Sequence, residues 1–363
     1  MTDQKFTLHV LGIPHTVTHH DYVACAYTQK VLKFCKMMTQ RGHTVMHYGH
    51  EDSDVICTEH VTVTDRRVLQ HAYGNHDWRR HQFQHNIGDY AYRKFNRRAA
   101  EAVQQRAKPN DFLCLPFGTG HKACVDAVKH TGVIPVETGI GYTSGSFTDW
   151  RCFESHAVRT VVEGCRSPQP WYSWVIPNYF DTEDFDYNDR KQDYILYLGR
   201  VTELKGITTC IRATAAAGVK LVIAGQGRLE DLGYTQVPSH VVELGYADRE
   251  TRRQLMSRAR GLIIATNYLE PFGGVVVEAL LSGTPIVTPF FGAFEEINQH
   301  GVTGYKCHTL REYVEAIKDI DKIDPVECRL RGLQYSLEAI APQYESWFSA
   351  IQEVYTGAGW SAV

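Results

Sequence analysis

Thr266-Asn267-Tyr268-Leu269-Glu270-Pro271-Phe272-Gly273-Gly274-Val275-Val276-Val277-Glu278-Ala279-Leu280-Leu281-Ser282-Gly283-Thr284-Pro285-Ile286-Val287-Thr288 reads as a strand end, a helix and a further strand. Pro271 suits a first helical position, where its missing N–H costs nothing, and Gly283 suits the position just past the last turn. The helix between them is apolar on nearly every side, which marks it as buried. Gly273 and Gly274 fall in or near its first turn, where each costs about 1 kcal/mol relative to Ala, so the bare backbone needs a reason. Glu278 lies among Val, Ala and Leu, where a carboxylate must find hydrogen-bonding partners or lose its charge.

A ligand accounts for both features. A glycine-opened helix start offers free N–H groups and the positive end of the helix dipole to an anion such as a diphosphate. Glu278, two turns along, could accept from the vicinal hydroxyls of a ribose. Glu270, at the helix mouth, would reach whatever the phosphates carry. Packing alone accounts for them as well, with Glu270 as a cap and Glu278 as a salt-bridged core residue. The spacing of the two glutamates does not choose between these readings.

Outward from this stretch, strands alternate with helices along the whole chain. In the first half the expected strands are Phe6 to Ile13, Thr44 to Gly49, Asp111 to Phe117, Val133 to Val136 and Val158 to Val162. The expected helices are Tyr22 to Arg41, Tyr90 to Ala107 and Gly120 to His130. In the second half strands are expected at Tyr194 to Leu198, Lys220 to Ala224, Val241 to Leu244, Gly261 to Ala265 and Pro285 to Pro289. Such alternation implies an α/β fold of mostly parallel sheets with helices on both faces, whose ligands bind beyond the carboxyl ends of the strands. The 363 residues suit two such domains. The boundary is expected at the Pro-rich passage Ser167 to Tyr172 and at the polar run Asp181 to Asp193, which reads as a linker. The domains would be 1–174 and 175–343, with a final helix at 344–363 crossing back to the first; Trp347, Phe348, Ile351 and Val354 form its apolar stripe.

Composition narrows the partners. No apolar run is long enough to cross a bilayer, the N-terminus shows no signal-peptide pattern, and ten cysteines lack any Cys-x-x-Cys spacing. A cytoplasmic location is expected. The net charge of -3 conceals a basic window at 66–108, where ten lysines and arginines face three acids, Asp77, Asp89 and Glu101, with aromatics interleaved. This is either a solvated helix face or a surface for an anionic acceptor, nucleic acid or a phospholipid headgroup. His15, His19, His20 and the series His71, His76, His81 and His85 lack the Cys partners or the His-Glu-x-x-His spacing of a zinc site, so no metal is expected. Arg200 and Lys205, in the loop after the strand at Tyr194, would face the same cleft as the helix at Gly273 and offer counter-charge to a diphosphate.

Taken together, these stretches resemble the retaining glycosyltransferases of family 4. The resemblance is carried by Gly199-Arg200 with Lys205-Gly206, Leu221-Val222-Ile223-Ala224-Gly225-Gln226-Gly227, Leu244-Gly245-Tyr246, Glu270-Pro271-Phe272-Gly273 through Glu278, and Gly301-Val302-Thr303-Gly304-Tyr305. Val175-Ile176-Pro177-Asn178 and Arg41-Gly42-His43-Thr44-Val45 extend it to about half the chain. The resemblance implies a GT-B fold, two Rossmann-like domains facing each other across a cleft, and a nucleoside-diphosphate sugar, UDP-sugar first, as donor substrate with no further cofactor. It implies Arg200 and Lys205 on the diphosphate, Glu270 on the transferred sugar and Glu278 on the ribose. Gly199, Tyr246, Phe272, Gly273, Gly274, Val275 and Gly12 complete the expected donor site.

The first domain departs from the family pattern. It offers Gly12-Ile13-Pro14-His15 where a glycine pair is common, and Val136-Glu137-Thr138-Gly139-Ile140-Gly141-Tyr142 where a His-Asp element is common. The candidates for the acceptor-side residue are therefore His15, His121, Glu137 and Tyr142. The implied activity is sugar transfer with retention to a hydroxyl acceptor, a saccharide or glycan first and a hydroxymethylated nucleic-acid base second. A nucleotide-sugar epimerase or a non-catalytic nucleotide-sugar-binding module would share the same donor site. The oligomeric state is not legible.

Overall fold

The computed structural model describes residues 4–164 and 172–356. Ser167 to Trp171 of the Pro-rich passage, Cys165, and the last seven positions of the expected terminal helix lie outside the described residues. The chain forms two compact units, the first Met1–His76, Phe83–Tyr179 and Leu337–Val363, the second Asp77–Gln82 and Phe180–Ser336.

The first unit is built on β1 (Thr7–Leu11), β2 (Thr44–His50), β3 (Glu59–Thr64), β4 (Phe112–Leu115), β5 (Ile134–Ile140), β6 (Trp150–Phe153) and β7 (Trp174–Val175). These pair in the order β3-β2-β1-β4-β5-β6-β7, parallel throughout. Its helices are α1 (Ala26–Gln40), α2 (Arg66–Tyr73), α3 (Tyr90–Gln104), α4 (Lys122–Val128) and α5 (His156–Gly164). Periodicity does not announce β3, β6 or β7: β3 is a half-polar strand at the sheet edge, and the other two are short. The expected strand at Val158 to Val162 is instead the middle of α5. Val158 and Val162, four apart, are buried while Val161 between them is 47% exposed, a helical and not an alternating pattern. A run of β-branched residues suggests a strand; packing of one helical face decides otherwise.

The second unit carries β8 (Gln192–Leu198), α6 (Ile207–Ala217), β9 (Leu221–Ala224), β10 (Val241–Gly245), α7 (Arg249–Arg258), β11 (Ala259–Ile263), α8 (Gly274–Leu281), β12 (Ile286–Pro289), α9 (Ala293–Ile297), β13 (Gly304–Cys307), α10 (Leu310–Asp319) and α11 (Pro325–Leu333). Its sheet runs β10-β9-β8-β11-β12-β13, again parallel. Leu196 and Leu198 enter one apolar cluster, Ile195 and Tyr197 the opposite one. This is the alternation that a sheet covered on both faces requires. The polar run Asp181 to Asp193 is not a loose linker. Asp184 and Asp186 pair with Arg249 and Arg253 of α7, and the Lys191 ammonium donates to Ser257 O, Ser282 O and Thr284 Oγ1 at 2.9, 3.1 and 2.9 Å. That cation thus closes the carboxyl ends of α7 and α8 together.

The final helix, α12 (Leu337–Thr356), belongs to the first unit. Tyr344, Trp347, Phe348 and Ile351 are at most 2% exposed within the core that also holds Phe6, Phe34 and Phe112. Each such side chain stabilises by about 1.5–3 kcal/mol on burial. Glu345 fixes the register, accepting from Arg41 Nε and Nη2 at 2.8 Å each and lying 3.1 Å from His43 Nε2.

Candidate functional site

Beyond the carboxyl ends of β8 and β11, two loops are sewn together. Asn267 N donates to Leu204 O at 2.9 Å, and Asn267 Nδ2 to Glu203 O at 3.0 Å. Gly206 allows the approach: it sits at φ +72°, and a Cβ there would lie 1.7 Å from Ala265 O. The consequence is that Lys205 Nζ and Glu270 Oε2 meet at 2.5 Å. Tyr268 Oη donates to the same carboxylate oxygen at 2.8 Å, and the Lys205 ammonium lies 5.0 Å from the Tyr268 ring centre. Burial first, and the Glu270 carboxylate second, push the Tyr268 hydroxyl up. Arg200, on the loop after β8, is exposed and makes no ion pair among the described residues.

The helix that follows starts later than expected. Pro271 precedes it, and α8 begins at Gly274 with Gly273 as its N-cap in the left-handed region, φ +80°. A Cβ on Gly273 would meet the Phe294 ring at 2.6 Å. Backbone geometry and packing thus require this glycine without any ligand, and one first-turn amide, Val276 N, is already spent on Gly273 O at 3.0 Å. Glu278 has found its partner inside the unit: Arg252 Nη2 of α7 donates to Glu278 Oε2 at 2.7 Å. Val275 is half-buried beside it. Phe272 is 3% exposed and stacked on Phe180 in the core, so its side chain packs rather than faces the edge. Gly199 spends its N–H on Ala224 O at 3.0 Å. Tyr246, half-buried after β10, meets the Trp78 ring edge-on.

Gly12 lies in the first unit, where its N–H donates to Tyr48 O at 2.7 Å. The loops after β1, β4 and β5 carry the acceptor-side candidates His15, His121 and Tyr142, and Glu137 lies within β5. The His15 ring stacks on His85 at 4.4 Å and its Nδ1 lies 2.8 Å from Tyr92 Oη. Burial, and then the neighbouring His85 and His121, bring its pKa down to about 3. Phe117 touches the rings of His15, Tyr27 and Tyr142. Glu137 is wholly buried and fully used, accepting from Tyr142 Oη, Phe147 N, Thr148 N and Thr148 Oγ1. Burial nevertheless raises its pKa. His121 is also wholly buried, neither ring nitrogen has a hydrogen-bond partner, and burial brings its pKa down to about 3.

Five of the ten cations of the basic window are engaged by carboxylates from inside and outside it. Arg66, Arg98 and Arg106 pair with Asp52, Asp65 and Glu59, and Arg97 and Arg80 with Glu101 and Asp77. Among the described residues one trio, His50, Glu51 and Asp52, brings three metal-ligand atoms within 4.8 Å of one another; Asp52 is already held by Arg66. None of the histidines weighed in the sequence belongs to it.

Seen whole, the chain overlays on solved structures along almost its entire length. AviGT4, a glycosyltransferase involved in avilamycin A biosynthesis, matches with a TM-score of 0.72 at 18% identity, over 95% of this chain and 98% of that one. Anabaena Alr3699/HepE, solved in complex with UDP-glucose, matches with a TM-score of 0.68 at 14% identity, over 95% and 99%. The fold is GT-B. Within this GT-B chain, residues 180–328 match the family model described as glycosyl transferases group 1. An uncharacterized glycosyltransferase of Methanocaldococcus jannaschii is 42% identical over 119 residues, 30% of each chain. The chain spans about a third of the length of the curated relatives it matches.

Tyr268, Arg252 and Trp78, which touch the candidate residues Glu270, Glu278 and Tyr246, are not singled out by the sequence. Only Arg252 leaves a signal, in the form of a carboxylate in an apolar run, Glu278, that demands a cation without saying which. Among the described residues no helix is long and apolar enough to cross a membrane.

Proposed function

We propose that the protein is a retaining glycosyltransferase of the family-4 type, moving a sugar from a nucleoside-diphosphate sugar, UDP-sugar first, to a hydroxyl of a saccharide or glycan. The observation that carries this reading is the Lys205–Glu270 pair, 2.5 Å apart at the carboxyl edge of the second sheet, with the start of α8 a few residues on. A glycosyl–phosphate bond breaks as charge builds on the leaving diphosphate. Fixed cations in a cleft stabilise that charge without reorganising. Arg200 and Lys205 supply it here, the α8 amides add the dipole end, and Glu270 accepts from hydroxyls of the sugar. Glu278, held by Arg252, accepts from the ribose.

Retention by front-face attack follows the family resemblance, and the UDP-glucose complex of HepE supports the choice of UDP. A saccharide is favoured over a nucleic-acid base because arginines of the basic window are engaged by Asp52, Glu59 and Asp65. Nine free cysteines among the described residues suit a reducing, cytoplasmic setting. The test is release of UDP from UDP-sugars across a panel of saccharide acceptors. Release that requires an acceptor supports transfer; interconversion of the sugar without one points to an epimerase, and binding without turnover to a binding module.

A further inference from the structure

We infer that Asp77–Gln82, which packs as part of the second unit, forms the wall on which the base of the donor nucleotide rests, with Trp78 as the stacking surface. This rests on the donor-site reading above. In that reading the diphosphate lies beyond β8, at Arg200 and Lys205, and the ribose lies at Glu278, whose partner Arg252 is on α7. α7 directly follows β10, and the sheet order is β10-β9-β8. From the phosphates through the ribose, the nucleotide therefore runs toward the β9 and β10 ends of the sheet.

Two side chains stand at those ends, Gln226 in the turn after β9 and Tyr246 after β10. Both are engaged by the same short segment. Gln226 Nε2 donates to the carbonyls of Trp78 and of His81, the latter at 3.1 Å. The Gln226 residue is 7% exposed, so its amide is committed to holding this backbone. The Trp78 ring packs edge-on against Tyr246, with centroids 5.8 Å apart and planes at 87°. Arg79 places its guanidinium 4.5 Å from the Trp78 ring centre. A half-buried indole with a planar cation layered over its ring is the pair of groups on which a base stacks, whichever base it is. The segment lies outside residues 180–328, the part that matches the family model. Grip on the base would thus come in part from outside the matched stretch.

The experiment is calorimetric titration of the full chain with UDP, ADP and inorganic pyrophosphate, in wild type, Trp78→Ala and Trp78→Phe. Trp78→Ala is expected to weaken UDP and ADP roughly tenfold, a typical loss for one base–aromatic stack, and to leave pyrophosphate unchanged. Trp78→Phe should recover most of the loss. Unchanged UDP affinity in Trp78→Ala, with pyrophosphate binding intact, would overturn this inference and leave the donor site standing. Equal weakening of UDP and pyrophosphate would also overturn it, because a general distortion would then explain the result. A wild type that binds none of the three removes the donor reading itself.

Discussion

Arg252 Nη2 lies 2.7 Å from Glu278 Oε2, and the two side chains are 21% and 19% exposed. A carboxylate set among valines and leucines is thereby satisfied from the neighbouring helix. Its presence alone does not call for a ligand, and its role depends on whether a ribose shares it. Arg252→Met leaves Glu278 half-buried without its cation and is expected to destabilise the fold by about 1 kcal/mol. It should also raise the donor dissociation constant more than it lowers turnover, since a ribose contact is made in ground and transition states alike. Urea unfolding and UDP titration check the two halves. A lower kcat with unchanged UDP affinity would contradict the second.

Glu270→Gln and Lys205→Met should each lower acceptor-dependent turnover by about 10²–10³, the loss typical of one preorganised charged contact. Neither should shift the melting temperature by more than a few degrees, because both side chains sit at loop ends outside the cores. Turnover near wild type in either variant removes Lys205 and Glu270 from the chemistry.

Three buried histidines, His15, His47 and His121, have pKa values brought down to about 3, chiefly by burial. In the unfolded chain they protonate near 6.5. Between those values the unfolded state binds more protons, so stability falls as pH drops from about 6.5 toward 3. Three such groups give a slope of at most about 4 kcal/mol per pH unit. The urea midpoint should fall between pH 7 and pH 5; a flat profile would count against the burial of these rings. His121→Leu should flatten part of that slope and gain about 1 kcal/mol at pH 7, because two unpartnered ring nitrogens are removed.

Arg41 first, and His43 after it, hold the Glu345 carboxyl below its usual range. Its contribution is present above the unfolded carboxylate pKa and is lost as pH falls through the lower folded value. Because Arg41 is 38% exposed, solvent screening keeps the pair to about 1 kcal/mol. Glu345→Gln is therefore expected to lower stability by about that amount at pH 7 and by progressively less as pH falls below the usual carboxylate range. A penalty that does not change with pH would mean that packing, not charge, makes the difference.

Local chemistry written in single stretches was enough for much of this molecule. The β–α alternation, the helix between Gly273 and Gly283, and the loop cations at Arg200 and Lys205 follow from periodicity, turn residues and strand ends, which act over a few positions. Where α8 begins did not follow. Its start is set by Phe294, whose ring closes the space beside Gly273, and no spacing in the sequence announces that contact. The edge strand β3 and the helix at Val158 to Val162 were likewise decided by what each face covers. The pairs on which the candidate site rests, Lys205 with Glu270, Arg252 with Glu278 and Gln226 with the backbone at Trp78, join positions 65, 26 and 148 residues apart. Such partners are selected by the order of strands in the sheet and by desolvation of the groups that meet there. Sequence named the residues that needed partners, and only the tertiary structure could assign them.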